Sequence, residues 1–486
     1  MSPLVESSRS KWIALAVVVA AQFMVVLDVA IVNVALPSIK NDLGFSQESL
    51  QWVITAYAIM FGGVLLLGGR MADLLGRRRL FIAGLVLFTV SSLLSGLAWS
   101  EGSLIVFRAL QGLGGGLLAP AALSILMTTF AEGRERNMAL GVWGAVSGSG
   151  GAAGVLLGGL LTSAISWSWI FFINIPVGLV VIGLTPLFVR ESRANLNHRH
   201  FDIAGATSIT GGLMLLVYAL TRATEDGWAT ASTIGLLTAS AALVVAFVVI
   251  ELRSKAPLLP MRIFRLRTLT AANITGFLLG SALFSQFFLL TLYMQQVLHY
   301  SAIETGVAYL TLTLAIIVFA GIAQGIVTRF GLRWPMSVGL ALSAAALVLF
   351  TRLPVDGHYF WDLFPGFLLS GIGLALAFVP VTIAALVGVK EADAGIASGL
   401  INTSQQIGGA VGLAVATTIA TTFTNRYVDS HAGVAAGSPA ALNYGFEITF
   451  YVLAGLAALA AVVAAVLIEP AEKQAEMTPE LAFDEA

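Results

Sequence analysis

Two charged residues stand where charge is costly. Asp28, in "VVAAQFMVVLDVAIVNVALP", and Arg108, in "SLIVFRALQGLGGGLLAP", each sit inside a long apolar run. An ionisable group placed in hydrocarbon costs about 2.5–3.5 kcal/mol on insertion scales, so its presence points to function or to a paired structural role. A carboxylate can take up and release a proton; a guanidinium stays charged and can only bias that exchange. Burial disfavours an ionised carboxyl and a nearby cation favours it, so a motion that changed either would load or unload a proton. The bland alternative is an ion pair that merely ties two helices together. The histidines at 198, 200, 299, 358 and 431 all fall in loops, which leaves no intramembrane histidine relay.

A second concentration of charge is "GGRMADLLGRRRLF", residues 68–81, with Arg70, Arg77, Arg78 and Arg79 around Asp73. Uncharged polar residues sketch a cavity. Asn402, Gln405, Gln406 and Gly409 recur at i, i+3, i+4 and i+7, one helical face. Gln22 and Asn33 share a face eleven residues apart, and Asp28 lies about 120–140° from both at 100° per residue. Gln111, Gln286 and Tyr293 complete the set of cavity candidates, the last two on one face. Interhelical hydrogen bonding is the competing role for each of them.

The elements that must position these residues are membrane helices. The chain of 486 residues is 58% hydrophobic and 10% charged, where soluble domains carry about 25% charge. Its apolar runs, each near the ~20 residues needed to cross hydrocarbon, predict fourteen spans: 12–36, 50–69, 80–100, 103–129, 138–161, 167–189, 203–222, 231–252, 269–297, 302–328, 335–352, 361–388, 396–421 and 446–468. A β-barrel would need short alternating segments, and "IALAVVVAAQFMVVL" does not alternate. At ~1.5 Å per residue, Asp28 lies roughly 12 Å and Arg108 roughly 8 Å below the outer ends of the first and fourth spans.

Charge sets the orientation. With the N-terminus inside, 20 of the 25 basic residues fall on the inner side, four (Lys40, Arg222, Arg352, Arg426) outside, and Arg108 within a span. Cationic loops resist translocation, so both termini are expected in the cytoplasm. The absence of cysteine excludes disulfides and thiolate metal sites. The first apolar run is too long for a signal-peptide core and lacks a convincing cleavage site. From Ala471 the acidic tail reads as disordered.

An internal repeat lies beneath this pattern. Gly141, Gly150, Gly151 and Gly154 match Gly399, Gly408, Gly409 and Gly412 at an offset of 258. Gly112, Gly114 and Pro120 match Gly371, Gly373 and Pro380, and Gly76 matches Gly331 more weakly. The expected organisation is a six-helix bundle over 1–190, an inserted two-helix segment with flanking cytoplasmic loops over 191–268, a second six-helix bundle over 269–468 and a tail over 469–486. Paired halves of this kind are the architecture of alternating-access transporters, with the substrate site between them.

The motifs carry a family resemblance. "GRMADLLGRRR", with Gly69, Asp73, Gly76, Arg77 and Arg78, resembles the signature between helices 2 and 3 of the major facilitator superfamily. "RALQGLGGG", with Arg108 and Gln111, resembles the helix 4 motif. "GVWGAVSGSGGAAGVLLGG", with Gly141, Gly150, Gly154, Gly158 and Gly159, resembles the antiporter motif. "LDVAIVNVALPSI" resembles a motif of the fourteen-helix drug/proton antiporters, and the likeness covers essentially the whole chain. Two departures stand out. Val155 replaces the proline that usually follows the third glycine of the antiporter motif, which removes a kink source, although the glycines still permit bending and close packing. Thr328 stands where the second-half copy of the signature would carry its Asp, and Gln286 where the repeat places Asp28.

The resemblance implies an all-α polytopic membrane protein with a major facilitator fold. It implies a conformational latch at Gly69, Asp73, Gly76, Arg77 and Arg78, with Asp73 holding the cytoplasmic end of a second-half helix. It further implies a proton-coupled exporter of amphipathic small molecules such as drugs, antibiotics or secondary metabolites; the two intramembrane charges make Asp28 the expected proton carrier, with Arg108 tuning it. The expected partners are that substrate, protons and the lipid bilayer of a bacterial plasma membrane. No nucleic acid, cofactor or metal is expected, and the chain is expected to act as a monomer. A transporter dedicated to one metabolite or lipid is the alternative. A polytopic membrane enzyme is the reading from another class, and no HExxH, GxSxG or P-loop supports it. The missing P-loop also removes an in-chain ATPase, and a sensor without transport would not need two matched halves.

Overall fold

The structure, a computed structural model, describes residues 8–45, 47–131, 133–193, 202–254, 257–431, 433–435 and 437–470. The acidic tail from Ala471, and Arg199, Lys255 and Lys473 of the charge count, lie outside these residues. Fourteen long helices follow one another: α1 (Ser8–Leu43), α2 (Trp52–Leu75), α3 (Arg77–Gly96), α4 (Glu101–Thr129), α5 (Arg134–Ala164), α6 (Asn174–Phe188), α7 (Ile203–Asp226), α8 (Ala231–Arg253), α9 (Arg267–Leu292), α10 (Leu310–Phe330), α11 (Arg333–Phe350), α12 (Phe364–Ala384), α13 (Ala394–Ser430) and α14 (Pro439–Leu467). No strand occurs among the described residues. Thirteen spans are long and apolar enough to cross a membrane, and fourteen if the two parts of α5 count as one. Those parts, Arg134–Gly151 and Ala153–Ala164, meet at 42°. The helix bends there without the motif proline, in a segment whose glycines leave little side chain to resist it.

Local chemistry explains the helix ends. Ser100 and Ser103 form a reciprocal cap at the start of α4, and Ser438 accepts from Ala441 N at the start of α14. Gly76 (φ 110°) and Gly331 (φ 76°), 255 residues apart, both turn the chain through the left-handed region between two helices.

The repeat is visible in the packing. In the first bundle α1 packs on α5 and α6, α2 on α4, and α3 on α4 and α6; the second bundle repeats these pairs as α9 on α13 and α14, α10 on α12, and α11 on α12 and α14. A Cβ on Gly112 would collide with Tyr57 O, and one on Gly371 with Leu312 O, so the same backbone contact between the second and fourth helices recurs in each half. The seam between bundles is formed by α2 on α13 and α5 on α10, with α4 on α13 and α5 on α12 crossing beside them. Of the inserted pair, α8 packs on α7, whereas α7 packs on both α2 and α13. The face carrying the two chain ends is knit by Lys11 to Glu135 (3.4 Å) and Arg267 to Val466 O (3.2 Å).

Candidate functional site

Four helices of the first bundle converge on Asp28. Arg108 of α4 donates to its Oδ2 at 2.6 Å, and Gln111, one turn further along α4, donates to Oδ1 at 2.8 Å. Asn174, the first residue of α6, donates to the same oxygen at 3.1 Å and to Ser92 Oγ of α3 at 2.9 Å. Gln111 also donates to Ser92 at 3.1 Å, and Ser92 donates onward to Phe171 O. The pair is closed off from solvent, with side-chain exposures of 0% for Asp28 and 1% for Arg108. Arg108 has further partners: Val53 O at 3.0 Å, Gln111 Oε1 at 2.6 Å and the Tyr57 ring, 4.4 Å from its guanidinium carbon. Because Gln111 and Asn174 supply amides, both oxygens of a buried carboxylate are met without a second cation, as burial of a charge requires.

The second bundle holds a neutral copy of this arrangement. Gln286 stands 258 residues after Asp28, and Ser370 259 after Gln111; Gln286 Nε2 donates to Ser370 Oγ at 2.8 Å. Phe367, 259 after Arg108, is buried between Tyr309 and Phe350. At this repeated position the described residues place the charges in the first half alone. Gln286, expected to line a cavity, is instead committed to α12. Tyr293, expected on the same face, is fully buried and donates to Pro354 O at 2.6 Å. It ties the C-terminal end of the α9 span to the loop after α11.

The loop signature forms a junction at the face that carries the termini. Asp73 accepts from Gly395 N (3.1 Å) and Ile396 N (3.2 Å), backbone donors in the first turn of α13, and pairs with Arg77 at 2.9 Å. A carboxylate at a helix N-terminus meets both unpaired N–H groups and the positive end of the helix dipole. Gly69 and Gly395 come so close that a Cβ on either would strike the other's carbonyl oxygen. A Cβ on Gly76 would strike Glu191, whose carboxylate accepts from Arg78 N at 3.2 Å and lies 3.7 Å from Arg79. The repeat has its own version of this junction. Thr328 corresponds to Asp73 and Asn137 to Gly395, and Asn137 Nδ2 reaches Thr328 Oγ1 at 3.4 Å. One junction is charged and the other neutral.

The antiporter-motif glycines serve close packing. Cβ atoms on Gly150, Gly154 and Gly158 would meet Val26, Ala30 and Ile31 of α1. Gly141 faces Gln324 of α10, and Gly159 O accepts from Ser163. The remaining cavity candidates divide. Gln22 is buried with Oε1 unpartnered, Gln405 packs over Gly276 of α9 with Nε2 unpartnered, and Gln406 is half-buried. Asn402 and Asn33 donate to their own helices, at Ser398 O and Val29 O, and Asn33 is exposed. A shallow, open groove of about 440 Å³ lies elsewhere, between α2 and α7, lined by Trp52, Ile59, Gly211, Met214, Leu215 and Tyr218. Sequence reasoning missed Asn174 and Glu191. A lone amide in the apolar run "WIFFINIPVGLVV" was the available signal for Asn174, whereas Glu191 is indistinguishable in sequence from any other loop charge.

Comparison with known proteins agrees with this architecture. The family model described as Major Facilitator Superfamily matches residues 18–413. The chain is 42% identical over 405 residues to a puromycin resistance protein of Streptomyces alboniger, covering 83% of this chain and 80% of that one. It is 39% identical over 402 residues to a cephamycin export protein of Amycolatopsis lactamdurans, covering 82% and 83%. Among solved structures, the human organic anion transporter MFSD10 superposes with a TM-score of 0.66 at 16% identity, covering 96% of this chain and 100% of that one, a likeness of fold.

Proposed function

The chain belongs to the Major Facilitator Superfamily, and on that footing we propose that it is a proton-coupled exporter of amphipathic small molecules such as antibiotics. It works by alternating access of a site between its two bundles, with both termini in the cytoplasm. The 20-to-4 distribution of basic residues supports that orientation. Relatives named for resistance to one antibiotic and export of another support the substrate class.

The observation that carries the coupling is the partner set of Arg108. Neutralising one member of a buried ion pair ordinarily strands the other at a cost of about 3–5 kcal/mol. Here Val53 O, Gln111 Oε1 and the Tyr57 ring remain for the guanidinium when Asp28 is neutral. Asp28 can therefore take a proton without abandoning an unpaired cation, which a purely structural pair has no need to permit. Asp73 of α2, bonded to the N-terminus of α13, acts as the latch that holds the cytoplasmic side shut while the site faces outward. Protons entering down a membrane potential supply about 2.3 kcal/mol per charge per 100 mV. Export is then driven as Asp28 loads outside and unloads inside. The test is substrate-induced proton movement in proteoliposomes with an imposed pH gradient. Asp28→Asn is expected to abolish uphill, proton-linked export while retaining substrate binding. Coupled fluxes equal to wild type in that variant would place the proton site elsewhere.

The second reading, a transporter dedicated to one compound, is favoured by the single-compound names of both relatives. A susceptibility panel with and without overexpression separates the two. Protection against several unrelated amphipaths supports the broad reading, and protection against one supports the narrow reading.

A further inference from the structure

We propose that Asn174 is the positioning residue that lets the Asp28 site hold both a carboxylate and a carboxylic acid, by turning its side-chain amide over when the proton arrives. The inference rests on the reading of Asp28 as the proton site. Its basis is an imbalance in the network. Asn174 is 1% exposed, and its Nδ2 donates twice, to Asp28 Oδ1 and Ser92 Oγ, yet its own Oδ1 is buried with no partner. A buried carbonyl left unsatisfied costs about 1–3 kcal/mol and calls for an explanation.

The other amide in the site cannot play this part. Gln111 is held at both ends, donating to Asp28 and accepting from Arg108 at 2.6 Å, so rotating it would turn an amine toward a guanidinium. Asn174 has no such restraint on its oxygen. When a proton from the outer solution bonds to Asp28 Oδ1, that oxygen becomes a donor and faces an amine that can only donate. A half-turn of the Asn174 amide brings Oδ1 to accept from the new O–H and sends Nδ2 to the position Oδ1 had held. Ser92 then turns its hydroxyl from Phe171 O toward Asn174 Oδ1. One amide atom is unpartnered before the turn and one after it, and the Ser92 hydroxyl exchanges Phe171 O for Asn174 Oδ1, so the two protonation states differ by the one bond that Phe171 O gives up. When the proton leaves to the cytoplasm the amide turns back. The titratable or charged groups facing Asp28 among the described residues are Arg108 from α4 and Tyr57 from α2; α3 and α6 present only Ser92 and Asn174, and α5 presents glycines.

The test is pH-difference infrared spectroscopy on purified protein in lipid nanodiscs. Acidification of wild type is expected to raise a carboxylic C=O band that is missing in Asp28→Asn. In Asn174→Val this band moves to higher wavenumber, because its O–H has lost an acceptor. In Asn174→Thr, isosteric with Val but able to donate and accept, the band stays near the wild-type position. Should the Val variant not fold, wild type grown with isotope-labelled asparagine carries the test: an amide band in the difference spectrum shifts with the label and is missing from Asn174→Thr. A carboxyl band that depends on Asp28 but is unmoved in Asn174→Val, or a wild-type difference spectrum without an asparagine band, overturns the role of Asn174. The absence of any band that depends on Asp28 overturns the underlying proton site as well.

Discussion

Asp28 and Arg108 form one contact but are unequal under substitution. Asp28→Asn leaves Arg108 with Val53 O, Gln111 Oε1 and the Tyr57 face, whereas Arg108→Leu leaves a carboxylate at 0% exposure with amide donors and no cation. Removing one partner from a buried pair costs about 3–5 kcal/mol, and the full figure is expected for Arg108→Leu, with less than ~2 kcal/mol for Asp28→Asn. Thermal unfolding of purified protein measures both. The double variant is expected to recover most of the Arg108→Leu loss, since no charge is then stranded; strictly additive losses would show that the two residues do not depend on each other. At this scale the sequence was legible wherever a residue clashed with its surroundings. Charge amid apolar runs marked Asp28 and Arg108. Gln286 and Tyr293 were misplaced because spacing tells which residues share a helix face but not which neighbour that face meets. Glu191 was invisible because its pairing with Arg78 and Arg79 depends on where the chain returns after α6.

The helix junctions make the same distinction between what holds a fold and what switches it. Asp73 and Arg77 are four residues apart and pair within one segment of chain, so their contact can persist whether or not α2 touches α13. The bonds from Asp73 to Gly395 N and Ile396 N exist only while the two helices meet. Removing the charge at a helix N-terminus costs about 1 kcal/mol, which is roughly a fivefold shift in the balance between closed and open. Asp73→Asn is therefore expected to insert normally, to widen the distance between spin labels at Leu75→Cys and Lys390→Cys, and to impair export. An unchanged distance distribution would leave the loop with a role in topology alone. The glycine stripe of α5 makes a steric prediction. Gly154→Leu places a side chain whose Cβ already meets Ala30 and Leu27 O of α1, where overpacking costs about 1–3 kcal/mol, whereas a Cβ at Gly183 of α6, the comparison site for Gly183→Leu, meets nothing within 4 Å. The first is expected to lower the unfolding temperature and transport together, and the second to change neither; equal effects would mean that the α1–α5 contact yields readily. The stripe was legible as spacing and as a place where the helix can bend, but its angle of 42° was not, because glycines permit bending without setting its size.

In the whole molecule, two matched bundles meet along a seam, and an inserted helix lies across it. Fourteen apolar runs and the glycine offsets made the bundles readable in advance, but nothing in α7 announced that it would touch both. Its two contacts differ in kind. Against α2 it packs closely, with Met214 and Thr210 O pressed on Gly63, Val217 near Gly62, and Tyr218 against Trp52 at 5.7 Å. Toward α13 the polar tie that accompanies the packing is Trp228 Nε1 to Thr418 Oγ1, 2.8 Å, from the turn after α7. Alternating access moves one bundle against the other, so α7 must slip on one of these neighbours. An interlocked surface is costly to separate, whereas one neutral hydrogen bond is worth about 0.5–1.5 kcal/mol. The prediction is that α7 travels with the first bundle and that the contact between Trp228 and Thr418 breaks and reforms in each cycle. This naturally cysteine-free chain allows a direct test with a short thiol crosslinker. Joining cysteines at Trp228 and Thr418 is expected to stop transport, with recovery on cleavage of the linker. Joining cysteines at Ile59 and Leu215, across the groove between α2 and α7, should leave transport running. Arrest by the second link and tolerance of the first would instead mean that α7 rides with α13 and slides along α2.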